Sequence, residues 1–249
     1  ESPQLSKVGD NIFLLFESYN SSELEHLYLQ VLDMDLNPLN DPNGQDVYDN
    51  ITPQKNPKMI VNDNNLYLAY SDLRDWVSYD VIVQKFNESG DPQWGDGGIA
   101  INLENDDIVS SIVQLSTGGC VVFWRGGSIS DLNIYYQAFD SNGNTPEGWS
   151  ENPELLSNAV STQKDPITVN YGDGIFILWE DYQSGNSDLY GQFIDNNGNV
   201  LGLENGFPIA NETTDEYNAE IAYNSNNNSI LAIWEYNNGS DFDIQASFI

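Results

Sequence analysis

The chain has 249 residues, 39% hydrophobic and 12% aromatic, which is enough apolar material for a packed core and too much for a disordered acidic tail. Asp and Glu number 39 against 7 Lys and Arg, giving a formal net charge of −32, where a small domain usually carries roughly 2–8 in magnitude. Such a surface repels phosphate backbones and anionic headgroups, which sets aside nucleic acid and membrane surfaces as partners and favours cations, basic partners or a salty medium.

No apolar run reaches the 18 residues of a membrane-spanning helix, so no membrane insertion is expected, and no signal peptide opens the chain. It starts at Glu1 rather than Met, the expectation for a processed or excerpted polypeptide. Cys120 is the only cysteine and sits in the apolar run GGCVVFW, where a buried, inert thiol is the default. Sequons at Asn20, Asn50, Asn87, Asn211, Asn227 and Asn238 are unremarkable in so Asn-rich a chain.

In chain order, five similar stretches follow one another. The first sets Pro3 13 residues before Phe16, which closes an apolar run, and continues with His26, Gln30 and Asp33. The second repeats this order as Pro57, Tyr70, Asp80, Gln84 and Asn87. The third has Ser111, Trp124, Asn133, Gln137 and Asp140. The fourth has Pro166, Trp179, Asp188, Gln192 and Asp195. The fifth keeps Trp234 and Asp243, puts Ser247 in the Gln place, and carries about one extra residue in NSNNNS. The closing aromatics are spaced by 54, 54, 55 and 55 residues, a regularity chance does not give.

The fourth stretch shows four strands, at 167–171, 175–180, 188–195 and 207–211, with Gly, Asn and Asp clustered between them as hairpin turns require. Its second strand is apolar at successive positions, Ile175 to Trp179, as is Ile230 to Trp234 in the fifth, which predicts burial on both faces. Repeated four-stranded units of this length indicate an all-β fold, a β-propeller. The expectation is one domain, 1–249, of five blades of about 54 residues with four antiparallel strands each, at 1–52, 53–106, 107–161, 162–216 and 217–249. The chain stops at Ile249, after the third strand of its last blade, so the expectation is either a three-stranded blade or an excerpt from a longer repeat array.

The pattern W-E-D…S-D-L-Y-x-Q-x-I-D-x-x-G-N, read from Trp179 to Asn199, resembles the tandem repeats of large secreted and cell-surface bacterial proteins. The resemblance is closest over 163–210 and 54–103 and faintest over 1–50. It implies an extracellular or cell-surface propeller module and no defined activity, since a fold alone supplies none.

In a propeller the residues after each closing aromatic gather at one mouth: Glu17, Ser71-Asp72, Arg125, Glu180-Asp181 and Glu235. As a functional set they form an acidic ring for Ca²⁺ or for the hydroxyls of a ligand. As a structural set each caps its own turn or accepts hydrogen bonds from the next blade. Residues kept in step with a repeat usually serve the repeat. By the same logic Gln30, Gln84, Gln137 and Gln192 are expected to make a recurring blade-to-blade hydrogen bond. The turns DSNGN (140–144) and DNNGN (195–199) lack the alternating carboxylates and distal Glu of a Ca²⁺ loop and fit hairpin turns with Asn and Gly at positive φ.

Departures from the repeat are the more informative positions. Arg125 stands where the other stretches have an acid or Ser, and Arg74 is the only other arginine. Trp76, beside Arg74 and Asp75, has no counterpart and suits either a sugar- or peptide-binding loop or a ring folded back on its own blade. Trp94 and Trp149 occupy equivalent turns and are expected to pack. No Ser-His-Asp arrangement, phosphate loop or zinc spacing is present, and the one histidine, His26, fills a slot held elsewhere by Asp or Asn. These features together predict a non-enzymatic module that binds protein or glycan in an adhesin or extracellular assembly. Its expected ligand contacts are Trp76, Arg74, Arg125, Glu180 and Glu235. No cofactor is required; Ca²⁺ is the candidate ion, on Glu17, Asp72, Glu180, Asp181 and Glu235. The alternatives are a lectin-like propeller and a glycoside hydrolase of the five-bladed class, the latter marked by two carboxylates converging from different blades.

Overall fold

A computed structural model of the chain describes residues 3–19, 24–49, 52–101, 106–128, 130–172, 174–237 and 239–249; the sequons at Asn20, Asn50 and Asn238 lie outside them. The described residues form twenty strands in five sheets and no helix. The first sheet runs β1 (Gln4–Val8), β2 (Asn11–Tyr19), β3 (Glu25–Leu32) and β4 (Gln45–Asp46). The second is β5 (Gln54–Asn62), β6 (Asn65–Asp72), β7 (Asp80–Phe86) and β8 (Ile99–Ile101). The third is β9 (Ile108–Gln114), β10 (Cys120–Ser128), β11 (Asp131–Phe139) and β12 (Glu154–Ser157). The fourth holds β13 (Gln163–Tyr171), β14 (Gly174–Asp181), β15 (Asp188–Asp195) and β16 (Val200–Leu201), with β17 (Phe207–Ala210) also paired to β15. The fifth has three strands, β18 (Glu216–Asn224), β19 (Ser229–Asn237) and β20 (Phe242–Phe248).

Two compact units make up the chain: residues 1–122 with 139–144, and residues 123–138 with 145–249. In the first, Phe13, Leu15, Leu27, Leu29 and Val31 pack with Leu66, Leu68, Tyr70, Ile82 and Phe86. In the second, Phe176, Leu178 and Leu189 pack on Ile230, Ala232 and Trp234. The apolar second strands follow from this layering: β14 is buried at every position and β6 at all but its first. The prediction for β19 needs correcting. It alternates, with Leu231 36% and Ile233 40% exposed, because these side chains point away from the fourth sheet, whose contact covers Ile230, Ala232 and Trp234.

A shared backbone device lies where strands β5, β13 and β18 begin. Their pairing shifts between Lys55 and Lys58, Lys164 and Ile167, and Tyr217 and Glu220, and the extra residues Asn56, Asp165 and Asn218 have φ of 53°, 53° and 51°. These are β-bulges, which bend a strand and re-aim its side chains. They also show that the hairpin between β18 and β19 is two residues longer than that between β13 and β14, rather than about one.

The D-x-x-G turns hold as hairpin turns. Asp195 Oδ1 accepts the N–H groups of Asn197 and Asn199 at 2.8 and 2.9 Å, and Asp140 does the same for Asn142 and Asn144. Only the glycines, Gly143 and Gly198, take positive φ; the turn asparagines do not. Trp94 and Trp149 pack as expected, Trp94 on Tyr67 and Phe139, and Trp149 against Tyr136 with its indole N–H on the Asn196 carbonyl. The repeated glutamines, however, do not bridge blades. Gln84 donates to Gly95 O at 2.6 Å, Gln192 to Leu203 O at 2.6 Å and Gln137 to Glu151 O at 3.2 Å, each in the loop that follows within its own sheet. These carbonyls lie outside the sheet ladder; Gly95 O and Leu203 O each also accept a turn N–H, from Gly98 and Gly206, and the glutamine amide is their second donor.

Candidate functional site: an acidic cleft in the second unit

Within the second unit, the fourth and fifth sheets leave a cavity of about 270 Å³. Ile167, Leu178 and Leu189 give it an apolar floor, and Asp165, Glu180, Asn218 and Glu220 bring polar groups to it. Two of these four, Asp165 and Asn218, are bulge residues, so the local backbone shift is what turns them into the cleft.

Glu180 is the best-held carboxylate. Its Oε2 takes the Lys164 ammonium at 3.2 Å and the Tyr182 hydroxyl at 3.2 Å, and its Oε1 accepts the Asn218 backbone N–H at 3.2 Å. Burial pulls the Lys164 ammonium down, but its hydrogen bond to Tyr182 and the charge of Glu180 outweigh this and raise it above its ordinary value. Lys164 also reaches Asp165 at 3.9 Å, and Asp165 meets Arg125 at 3.5 Å. Arg125 and Glu180, two predicted site residues, thus belong to one chain of charges through Lys164 and Asp165, neither of which was predicted.

In three sheets the residue after the closing aromatic touches the first strand of the following sheet. Ser71 Oγ accepts the Val109 N–H at 2.9 Å, Arg125 pairs with Asp165, and Glu180 caps Asn218. Where the repeat exchanges its acid for Arg125, the bulge position that is Asn56 or Asn218 elsewhere becomes Asp165. The arginine is therefore matched by a compensating charge. With 30% and 55% side-chain exposure this pair is worth little to stability, of order 0–1 kcal/mol.

The other predicted residues are placed elsewhere. Asp181 turns away from the cleft, fully buried, accepting the Trp179 indole N–H at 3.3 Å and the Gln183 N–H at 2.9 Å; burial raises its carboxyl. Glu235 lies opposite Tyr217 on the fifth sheet and helps raise that phenol, after burial. Glu17 and Asp72 belong to the first unit. Asp72 is fully buried between the Thr52 hydroxyl at 2.9 Å and Arg74 at 3.0 Å. Arg74 also bonds Gly97 O and lies 4.8 Å over the Tyr48 ring, so it faces inward and is not displayed beside Trp76. Trp76 is 54% exposed at φ +61°, in a turn closed by its N–H on Leu73 O. Among the described residues, no three His, Cys, Asp or Glu side chains are grouped to hold a metal ion.

What sequence reasoning missed is Lys164, Asp165, Asn218 and Glu220. The available signal was the pair Lys55-Asn56-Pro57 and Lys164-Asp165-Pro166, an Asn or Asp before Pro inside a strand, which marks a bulge.

No protein-family model matches the chain, and no curated protein matches it. Solved structures do. An endo-arabinase from Bacteroides thetaiotaomicron is similar with a TM-score of 0.56 and 16% identity, over 99% of this chain and 93% of that one. A GH93 α-L-arabinofuranosidase of Fusarium graminearum, solved with arabinobiose, gives a TM-score of 0.58 and 12% identity over 99% and 76%. A thermostable family-43 glycoside hydrolase gives 0.52 and 11% over 99% and 88%. At such identities the likeness shows a β-propeller fold. The same finding corrects the expectation of a non-enzymatic binding module, since the three solved structures named here are glycoside hydrolases.

Proposed function

We propose that this chain is a glycoside hydrolase acting on pentose-containing glycans, arabinan first among them, in the cleft between its fourth and fifth sheets. The observation that carries the reading is the convergence on one cavity of carboxylates from two sheets, Glu180 on β14 and Glu220 on β18. Glycoside cleavage needs one carboxyl to protonate the departing oxygen and another to attack the sugar or activate water. Glu180, held by an ammonium and two further donors, suits the second role, and the more exposed Glu220 the first. A cavity of about 270 Å³ is at the small end of ligand sites and accommodates one sugar ring, with the rest of the polymer outside. The glycan is thus the partner, and a polymer too large to cross a membrane is met outside the cell. The reading takes the five sheets as five blades.

The test is release of reducing sugar from arabinan, arabinoxylan and xylan by the purified chain. Activity on at least one is expected, with E180Q and E220Q each lowering kcat by about 10²-fold or more while the melting temperature stays near that of the parent. A parent inactive on the whole panel, or an E180Q that keeps full rate, overturns the proposal.

A further inference from the structure

Behind the cleft, a second cluster of the same unit has no part in the proposed reaction. Glu216, at the start of β18, is fully buried, and its carboxylate oxygens make no close hydrogen bond, the Glu212 backbone N–H being the one donor that acts on them. The buried hydroxyl oxygens of Ser187 and Thr214 are also without partners. The backbone holds these groups together: Glu216 N–H donates to Ser187 O at 2.7 Å, and the Asn186 side chain donates to Thr214 O and to Asp188 Oδ1, both at 2.8 Å. Asp188, 2% exposed, acts electrostatically on Glu216, and no ion pair among the described residues reaches either acid.

The residues that the backbone holds together here thus carry four buried oxygens without a close partner and a second buried carboxylate, all of them oxygen donors, and no ion pair among the described residues reaches these acids. Leaving such groups dry and unpartnered is expensive, by roughly 1–3 kcal/mol for each neutral group and more for a charge. Hard cations take six to eight oxygens at about 2.3–2.6 Å. We propose that Ser187, Thr214, Glu216 and Asp188 form a Ca²⁺ site, with water completing the shell. Two carboxylates and two hydroxyls, rather than three acids, supply the ligands. The ion would tie the loop after β17 and the start of β18 to the start of β15, joining the fourth and fifth sheets behind the cleft.

The full chain, stripped with chelator, is titrated with CaCl₂ by calorimetry and by thermal melting, at ionic strength held constant with NaCl. One equivalent of Ca²⁺ is expected to bind and to raise the melting temperature above the Na⁺ control. T214V, which keeps size and removes one ligand, should weaken binding by about 10-fold or more, and E216Q should abolish it. E147Q, an exposed acid elsewhere in the unit, should bind as the parent does. No heat of binding and no melting shift beyond the Na⁺ control overturns the site. So does a parent-like affinity in both T214V and E216Q. Neither readout depends on hydrolysis, so failure of the glycosidase reading leaves this test intact.

Discussion

Asp195 shows how a single side chain sets a turn in this protein. Its carboxylate accepts two backbone N–H groups and the Asn199 side chain, and the Asn199 bond, foremost, holds its carboxyl below the usual range. A depressed carboxyl stabilises the fold above its unfolded value near 3.8, and that contribution is lost as pH falls through the lower folded value. Asn87 fills the same position in the second sheet and accepts the N–H groups of Ser89 and Asp91 at 2.9 Å without titrating. Asp195→Asn is therefore expected to keep nearly full stability at pH 7 and to flatten the acid limb of the stability curve. Asp195→Ala should lose about 1 kcal/mol. Denaturant melts of the three proteins between pH 2 and pH 7 decide it; an Asn variant as weak as the Ala variant at neutral pH would show that the turn needs the charge. This role was legible in the sequence, because an Asx turn is a local structure made within five residues. The roles of Asp165 and Asn218 were not, because a bulge is defined by the strand opposite.

Elements in the second unit are joined by small residues placed under large ones. The Gly198 turn between β15 and β16 has φ +84°, and a Cβ there would lie 2.9 Å from the Trp149 ring, on the loop before β12. Gly143 meets Trp94 similarly in the first unit, with a would-be Cβ 3.2 Å from its ring. Gly198→Ala should therefore destabilise by about 1–3 kcal/mol through backbone strain and overpacking together, and should perturb Trp149 fluorescence. Gly185, at φ +99° with nothing within 4 Å, provides the comparison. Its Ala variant carries the backbone strain alone and should leave tryptophan emission unchanged. Equal losses in the two variants would remove the ring contact from the explanation. Strand order, the buried second strands β6 and β14 and the packing tryptophans were readable from period and spacing, whereas the half-exposed β19 was not. The glutamine bonds were misassigned because the sequence shows that a buried amide needs a partner without showing which loop passes within reach.

Across the whole molecule the net charge of −32 dominates. Like charges over one surface repel, and the compact state concentrates them. Raising NaCl from about 0.01 M to about 1 M shortens the Debye length from roughly 30 Å to 3 Å, so the melting temperature is expected to rise with salt; a fall would show that the few ion pairs, such as Lys164 with Glu180, matter more than the general repulsion. Composition, repeat spacing and apolar runs by themselves determined the all-β fold, the strand succession and the Asp-capped turns, because each depends on neighbours in sequence or on a strict period. Only the tertiary structure decided which acids meet. Glu180 and Glu220 are 40 residues apart and share a cleft through a bulge and a sheet-to-sheet contact. Asp181, next to Glu180 in the chain, faces the other way because successive side chains of a strand point to opposite faces.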